Sequence, residues 1–342
     1  MREQRSHRLR VVRVIEETAQ ACSIEFDVDD RNAFAYRPGQ FLTVRVPSER
    51  CGSVARCYSL SSSPHTDDRL KVTVKRTTDG YGSNWLCDSL AAGDELEALP
   101  PAGVFTPRSF DADLLLFAAG SGITPVISIV KSALATGAGR VVLVYANRDD
   151  RAVIFAGELA ALARRHPDRF VVVHWLESVQ GLPNAAGLAA LAAPYAGFDA
   201  FVCGPKPYMS AVREALTSLG VPKDRVKLER FSSLGANPFE RATPAPPAQT
   251  RGAASVEVTL DGVRRKLDWP AEVKLLDLLL DNDIEAPYSC REGACSACAC
   301  RLVAGEVKML NNDVLEDEDI SDGIILACQS LPVTDAVEVS YE

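Results

Sequence analysis

The hydrophobic pattern changes character twice along the chain. Over residues 8–108 apolar and polar positions alternate in short runs such as FLTVRV (41–46) and RLKVTVKR (69–76), broken by turn signals such as RPGQ (37–40). Alternation of period two sends successive side chains to opposite faces, so this stretch predicts short antiparallel strands that form a small barrel. From about residue 110 the runs become continuously apolar: DLLLFAA (113–119), RVVLVYAN (140–147), FVVVHWLE (170–177), DAFVCGP (199–205) and RVKLERF (225–231). Strands hidden on both faces read this way, and the alanine-rich helical stretches among them predict a parallel, doubly wound α/β sheet. Residues 234–252, LGANPFERATPAPPAQTRG, keep no period and are dominated by Pro and Ala, which predicts a semi-rigid linker. Alternation then returns in SVEVTLDGVRRKLDW (255–269), a hairpin turning at Asp261-Gly262, before the one-sided apolar helix KLLDLLLDN (274–282). The expected organisation is multi-domain: a β-barrel over 1–109, an α/β domain over 110–233, the linker 234–252, and an α+β module over 253–342. No internal repeat is visible.

Composition narrows the class. The 342 residues are 47% apolar and 24% charged, as in soluble globular proteins. The start, MREQRSHRLR, lacks the apolar core of a secretion signal, and no apolar run approaches the length of a membrane span. Ten cysteines in such a chain point to a reducing cytoplasm rather than to disulfides. Four isolated histidines, His7, His65, His166 and His174, disfavour a His-rich metal site. The net charge of −9 is uneven, because residues 253–342 carry 19 acidic and 7 basic side chains. So acidic a module disfavours nucleic acid. It is either a solvated surface or a docking face for a basic protein partner.

Candidate chemistry sits in each module. The last one holds SCREGACSACAC (289–300), with Cys290-x4-Cys295-x2-Cys298, and a distant Cys328 in GIILACQS (323–330). This is the plant-type ligand spacing of a 2Fe–2S cluster, which needs four thiolates brought together from two segments. Small residues between the ligands let backbone N–H groups approach the sulfurs, and Gly293 suits a positive φ. Zinc or free core thiols are the bland alternatives; an all-cysteine zinc site usually needs a second CxxC knuckle. Cys300 reads as a core residue of the outgoing strand.

In the first module RCYSLSS (56–62) places Arg56, Tyr58 and Ser59 together, followed by Leu60. Arginine suits a flavin phosphate, tyrosine packs on a ring, and serine hydrogen-bonds near a ring nitrogen. Downstream, Val74 and Lys75 precede Gly80, Gly82 and Ser83, where a helix opens. Free N–H groups at a helix start suit a pyrophosphate, so the two elements together predict FAD. An ordinary strand ending in a polar turn is the alternative for the first element alone.

In the second module FAAGSGITP (117–125) puts Gly120, Ser121, Gly122, Thr124 and Pro125 between an apolar strand and a helix. That is a dinucleotide phosphate cradle, though it departs from GxGxxG. VCGPKPYM (202–209) ends a strand on Cys203, Gly204 and Pro205. Arg148 in YANRDD (145–150) lies where an adenosine ribose is expected, and Asp149 and Asp150 would repel a 2′-phosphate, so NADH is expected over NADPH. A solvated turn is the alternative there.

Taken in order, these signatures resemble the ferredoxin–NADP reductase superfamily with a C-terminal plant-type ferredoxin domain. The resemblance implies a flavin held by the Arg-x-Tyr-Ser element and the Gly-x-x-Ser helix start, and a nicotinamide nucleotide held by the glycine turn and the Cys-Gly-Pro element. It also implies that Cys203 approaches the nicotinamide ring, and that Glu229 and Phe231 lie beside the flavin. Ser59, Cys203 and Glu229 are then the expected catalytic residues. GSVARCYSLSSSP, VKRTTDGYGSNWLCD, YANRDDRAVIF, HWLESVQGLP and GIILACQS narrow the resemblance to reductase components of 3-ketosteroid 9α-monooxygenases, with the reductases of phenylacetyl-CoA epoxidases as the alternative. The implied activity carries electrons from NADH through FAD and a 2Fe–2S cluster to a separate terminal oxygenase, docking near the acidic module. No Rieske ligand pair with histidine occurs in the chain, so the oxygenase is expected elsewhere. A different class of reading, an iron–sulfur sensor without turnover, requires decayed flavin motifs.

Overall fold

The computed structural model describes residues 6–231, 234, 235, 237–239, 254–315 and 317–341, with the backbone alone at Glu318. The first five residues and most of the linker 234–252 lie outside the described residues. Two compact units divide the chain, Met1–Phe231 and Ser232–Glu342.

In the first unit the alternating stretch forms β1 (His7–Thr18), β2 (Ala21–Asp27), β3 (Phe41–Ser48), β4 (Gly52–Ser59), β5 (Leu70–Lys75) and β6 (Glu95–Ala98), with helix α1 (Tyr81–Ser89) between the last two strands. They pair antiparallel in the order β4-β3-β6-β1-β2-β5. Just past β4, Leu60 bridges Val72 on β5 and joins the two edges, so the sheet closes on its own core. Leu9, Ile24, Phe26, Leu42, Val44, Leu60 and Val74 fill that interior.

The continuously apolar runs form β7 (Leu114–Ala119), β8 (Val141–Asn147), β9 (Phe170–Leu176), β10 (Asp199–Cys203) and β11 (Val226–Glu229). Every residue of β7 and β8 is buried. The reason is visible in the cores. Leu114, Leu116 and Ala118 face one cluster with helices α2 (Ile123–Thr136) and α3 (Ala156–Arg165), while Leu115, Phe117 and Ala119 face the other. Short helix α4 (Glu177–Gln180) follows β9, and α5 (Ala185–Ala192) and α6 (Lys206–Ser218) cover that second face. All pairings are parallel, in the order β11-β10-β7-β8-β9. The strand order reverses between β7 and β10, which is where open α/β sheets bind ligands at their carboxyl ends.

A buried polar joint ties barrel to sheet. Lys131 of α2 is 5% exposed and meets Asp67 at 2.8 Å and Glu158 of α3 at 3.3 Å. Beside it Ser63 Oγ and Ser132 Oγ lie 2.7 Å apart, and Ser128 Oγ donates to the Ser62 carbonyl at 2.5 Å. Lys131→Met leaves Asp67 without this cation and Glu158 with only Lys71, 3.8 Å away. We expect a loss of about 2 kcal/mol in urea unfolding, below the ~3–5 kcal/mol of a fully buried pair because both carboxylates keep some solvent.

The second unit contains β12 (Ala254–Leu260), β13 (Val263–Trp269), helix α7 (Leu275–Asp281), β14 (Ala299–Ala304), β15 (Val307–Met309), α8 (Asp317–Ser321), β16 (Ile324–Leu326), β17 (Ser330–Pro332) and β18 (Ala336–Ser340). The main sheet runs β13-β12-β18-β14-β16, and β15 pairs with β17. The first hairpin turns at Asp261 (φ 52°) and Gly262 (φ 73°), the left-handed pair that matches strand twist. Leu275, Leu276, Leu278 and Leu279 of α7 pack on Val256, Val258 and Trp269. Among the described residues no helix is long and apolar enough to cross a membrane.

Candidate functional site

In the second unit the chain winds Cys290 to Cys298 into a tight loop. Arg291 (φ 60°), Gly293 (φ 87°) and Ser296 (φ 51°) all take left-handed backbone. A Cβ on Gly293 would stand 2.8 Å from the Asn311 carbonyl oxygen, so the position needs glycine for space as well as for φ. Backbone donors point at sulfur: the N–H groups of Glu292 and Ala294 donate to Cys290 Sγ at 3.5 and 3.3 Å, and that of Cys290 to Cys295 Sγ at 3.3 Å. Cys328, 2% exposed, arrives from the other segment, and its N–H donates to Cys298 Sγ at 3.4 Å. Cys290 contacts both Cys295 and Cys328, and those contacts lower its thiol and favour the thiolate. The four thiols so gathered, with N–H donors aimed at them, form a donor set suited to a thiolate-ligated iron cluster. Cys300 stands apart, buried in the core on β14.

Gln329 escaped the sequence reading. Its buried amide donates to the Arg291 carbonyl at 2.8 Å and approaches Cys328 Sγ at 3.6 Å, tying the fourth thiol to the loop. Adjacency to Cys328 was the only signal available for it.

In the barrel, Arg56, Tyr58 and Ser59 lie on β4. Helix α1 starts against this strand, because a Cβ on Gly82 would stand 3.1 Å from Arg56 Cγ. Gly80 is the N-cap. Ser83 Oγ accepts from the Thr77 N–H at 3.1 Å and donates to the Gly80 carbonyl at 3.3 Å, which shapes the helix entry. Burial raises the Tyr58 hydroxyl and keeps it neutral. Leu60 and Val74 point into the core, so they offer a ligand only backbone.

At the reversal point of the parallel sheet, two motifs meet. A Cβ on Gly122 would lie 2.1 Å from the Cys203 carbonyl oxygen, and one on Gly204 would lie 2.9 Å from Ala119 Cβ. The glycine turn and the Cys-Gly-Pro element therefore pack backbone to backbone. Gly120 takes φ 54°, its carbonyl accepts from the Tyr145 hydroxyl at 3.1 Å, and Thr124 Oγ1 donates to the Ser121 carbonyl at 3.0 Å. Pro125 lies in the first turn of α2, and Pro205 caps α6.

Lys75, at the end of β5, stands over the turn: a Cβ on Gly120 would be 3.0 Å from Lys75 Nζ. Burial first, then the Arg148 charge, lower its ammonium. Two cations near a glycine turn favour an anion there. Asp149, by contrast, is engaged locally, accepting from the Ala152 N–H at 2.9 Å.

Strand register sets Cys203 directly beside Glu229. Burial raises the Cys203 thiol, which stays neutral. Burial also pushes the Glu229 carboxyl up to about 8, so it is largely protonated at neutral pH. Phe231, two residues on, is 52% exposed.

Comparison with known proteins finds three domain families along the chain. The chain matches the oxidoreductase FAD-binding domain over residues 8–106, the oxidoreductase NAD-binding domain over 116–214, and the 2Fe-2S iron-sulfur cluster binding domain over 258–333. It is 60% identical over 341 residues to the 3-ketosteroid-9-alpha-monooxygenase, ferredoxin reductase component, of Rhodococcus rhodochrous, spanning 98% of this chain and 97% of that one. It is 32% identical to a component of the 1,2-phenylacetyl-CoA epoxidase of Escherichia coli, covering 98% of each. Among solved structures, phthalate dioxygenase reductase matches with a TM-score of 0.57 at 24% identity over 98% of both chains. Full-length CYP116B46 from Tepidiphilus thermophilus matches with 0.67 at 24% identity, over 98% of this chain and 42% of that one. At that identity both show the fold alone: a barrel, an α/β domain and a ferredoxin domain.

Proposed function

Because the chain belongs to the family of the 3-ketosteroid-9-alpha-monooxygenase ferredoxin reductase components, we propose that it draws electrons from NADH and delivers them singly to a separate Rieske-type 3-ketosteroid 9α-hydroxylase. It is an oxidoreductase built from FAD-binding, NAD-binding and 2Fe–2S domains. The observation that carries the steroid partner is the 60% identity over nearly the whole chain, against 32% to the epoxidase component.

The flavin supplies the conversion between a two-electron hydride donor and one-electron acceptors. The chain's own residues bind and orient. Arg56 and the α1 start at Gly80, Gly82 and Ser83 hold the flavin phosphates, while Tyr58 and Ser59 hold its ring side. The turn at Gly120, Ser121 and Gly122, with Thr124, Pro125, Lys75 and Arg148, holds the nicotinamide nucleotide. Cys203, with Gly204 and Pro205, positions the nicotinamide ring, and Phe231 covers the flavin. Cys290, Cys295, Cys298 and Cys328 hold the cluster. Asp149 and Asp150 beside Arg148 support NADH over NADPH through repulsion of a 2′-phosphate.

Protonated Glu229 leaves the Cys203 edge neutral at pH 7. Its ordinary value is 4.5, so the unfolded chain releases this proton first. Stability therefore falls as pH rises from about 4.5 to about 8 and is level above. Glu229→Gln is expected to flatten that fall and to remove an inflection near pH 8 from the rate of flavin reduction. Chemical unfolding and stopped-flow across pH 6–9 check both.

The oxygenase docks near the acidic module in this proposal. Asp317 and Asp319 lie on α8; Glu316 and the Glu318 side chain lie outside the described residues. Reconstitution with purified candidate oxygenases tests the function. Product from the steroid system with NADH, and little from a diiron epoxidase, is expected; the reverse preference overturns the steroid assignment.

A further inference from the structure

Two cysteines that the electron path does not use face each other in the barrel. Cys22 on β2 is 6% exposed and Cys87 on α1 is half-buried. Their sulfurs stand 2.8 Å apart, although 65 positions separate them in the chain. Both flank the same residue. Cys22 pairs with Val74 in the strand register, and Cys87 Sγ lies 3.8 Å from the Val74 carbonyl oxygen. A disulfide needs the sulfurs at about 2.05 Å, so they must close by less than about 1 Å.

We propose that Cys22 and Cys87 form a reversible peroxide-driven disulfide that clamps helix α1 onto the barrel. Cys87 is the attacking sulfur, since it is the one solvent reaches. The Cys22 thiol donates to it, and this bond, with Arg76 nearby, lowers the Cys87 thiol and favours its thiolate. The thiolate attacks hydrogen peroxide; an S–O bond forms as the O–O bond breaks, and one water leaves after protonation. The Cys22 sulfur then displaces the hydroxyl from Cys87, the S–S bond forms, and a second water leaves. Two thiols and one peroxide become one disulfide and two waters, and a dithiol reverses the change. Reduced flavins give peroxide when they meet oxygen, so a flavin reductase generates this oxidant as a by-product. Helix α1 is also the element whose start packs Gly82 on Arg56. The clamp therefore acts on the proposed flavin phosphate site; that consequence and the internal source of peroxide rest on the flavin reading, whereas the disulfide itself does not.

The full-length holoprotein, treated with graded hydrogen peroxide, alkylated and digested without reductant, tests the proposal. A peptide joining Cys22 to Cys87 is expected. It is absent from Cys22→Ser and Cys87→Ser and disappears after dithiothreitol. Dimers joined through the exposed Cys51, sulfinic acid on Cys87 with Cys22 still free, or no modification at the pair would each overturn it. FAD fluorescence then reads the clamp, with slower flavin release expected from the cross-linked form. Equal release from both forms overturns the clamp while leaving the mapped disulfide standing.

Discussion

Cys328→Ser is expected to yield a yellow protein that keeps its flavin and loses its iron. Iron content should fall from two atoms per chain to near none, and delivery to the oxygenase should drop by at least about 100-fold, beyond the usual effect of losing a supporting contact. Reduction of a dye that draws on the flavin should persist. The physical reason is position. Cys328 is the one thiol supplied by the distant segment, it touches both Cys290 and Cys298, and its own N–H bonds Cys298 Sγ. A serine oxygen is a harder and weaker ligand for such iron. The second unit should also unfold at lower denaturant, because binding energy of a metal centre is folding energy. Cys300→Ser is the matched control. That thiol is equally buried but lies in the sheet core, so the cluster should survive its loss. Iron analysis and visible absorbance separate the two variants.

Gly122→Ala is expected to damage the nicotinamide site more than any single methyl elsewhere in the sheet. Gly122 has φ −61°, which every residue tolerates, so conformational freedom is not the reason. Space is the reason, since the new methyl would meet the Cys203 carbonyl oxygen at 2.1 Å and its carbon at 2.5 Å. Neither neighbour is a side chain that can swing away. The turn and the Cys-Gly-Pro backbone must separate, at about 1–3 kcal/mol or more of stability. A separation of about 1 Å at a reacting edge slows reaction by about 100-fold. Stopped-flow flavin reduction by NADH reads that loss, and unfolding reads the first.

Much of this architecture is written locally. The unbroken apolar runs of β7 and β8 announce burial on both faces, and the two cores confirm it residue by residue. The Cys290-x4-Cys295-x2-Cys298 spacing specifies its loop, and the Asp261-Gly262 turn specifies its hairpin. What remained hidden depends on distant segments meeting. Nothing near Lys131 signals that Asp67 and Glu158 will surround it, and a lysine inside an apolar helix reads only as an anomaly. Cys22 and Cys87 each look like ordinary buried cysteines until β2 and α1 converge on Val74. Gly122 was legible as part of a glycine turn between strand and helix, yet its closeness to Cys203 follows from sheet order, which period and spacing do not encode. Leu60 and Val74 show the opposite limit. They neighbour the flavin motifs in sequence, but strand alternation turns their side chains into the barrel core.

Anaerobic titration of the reconstituted protein with NADH, followed at flavin and cluster wavelengths, addresses the central claim most directly. A two-electron flavin and a one-electron cluster in one chain should consume about 1.5 equivalents of NADH, against about one for Cys328→Ser. Bleaching complete at one equivalent in the iron-replete wild-type chain, or no bleaching at the cluster wavelength, would contradict it.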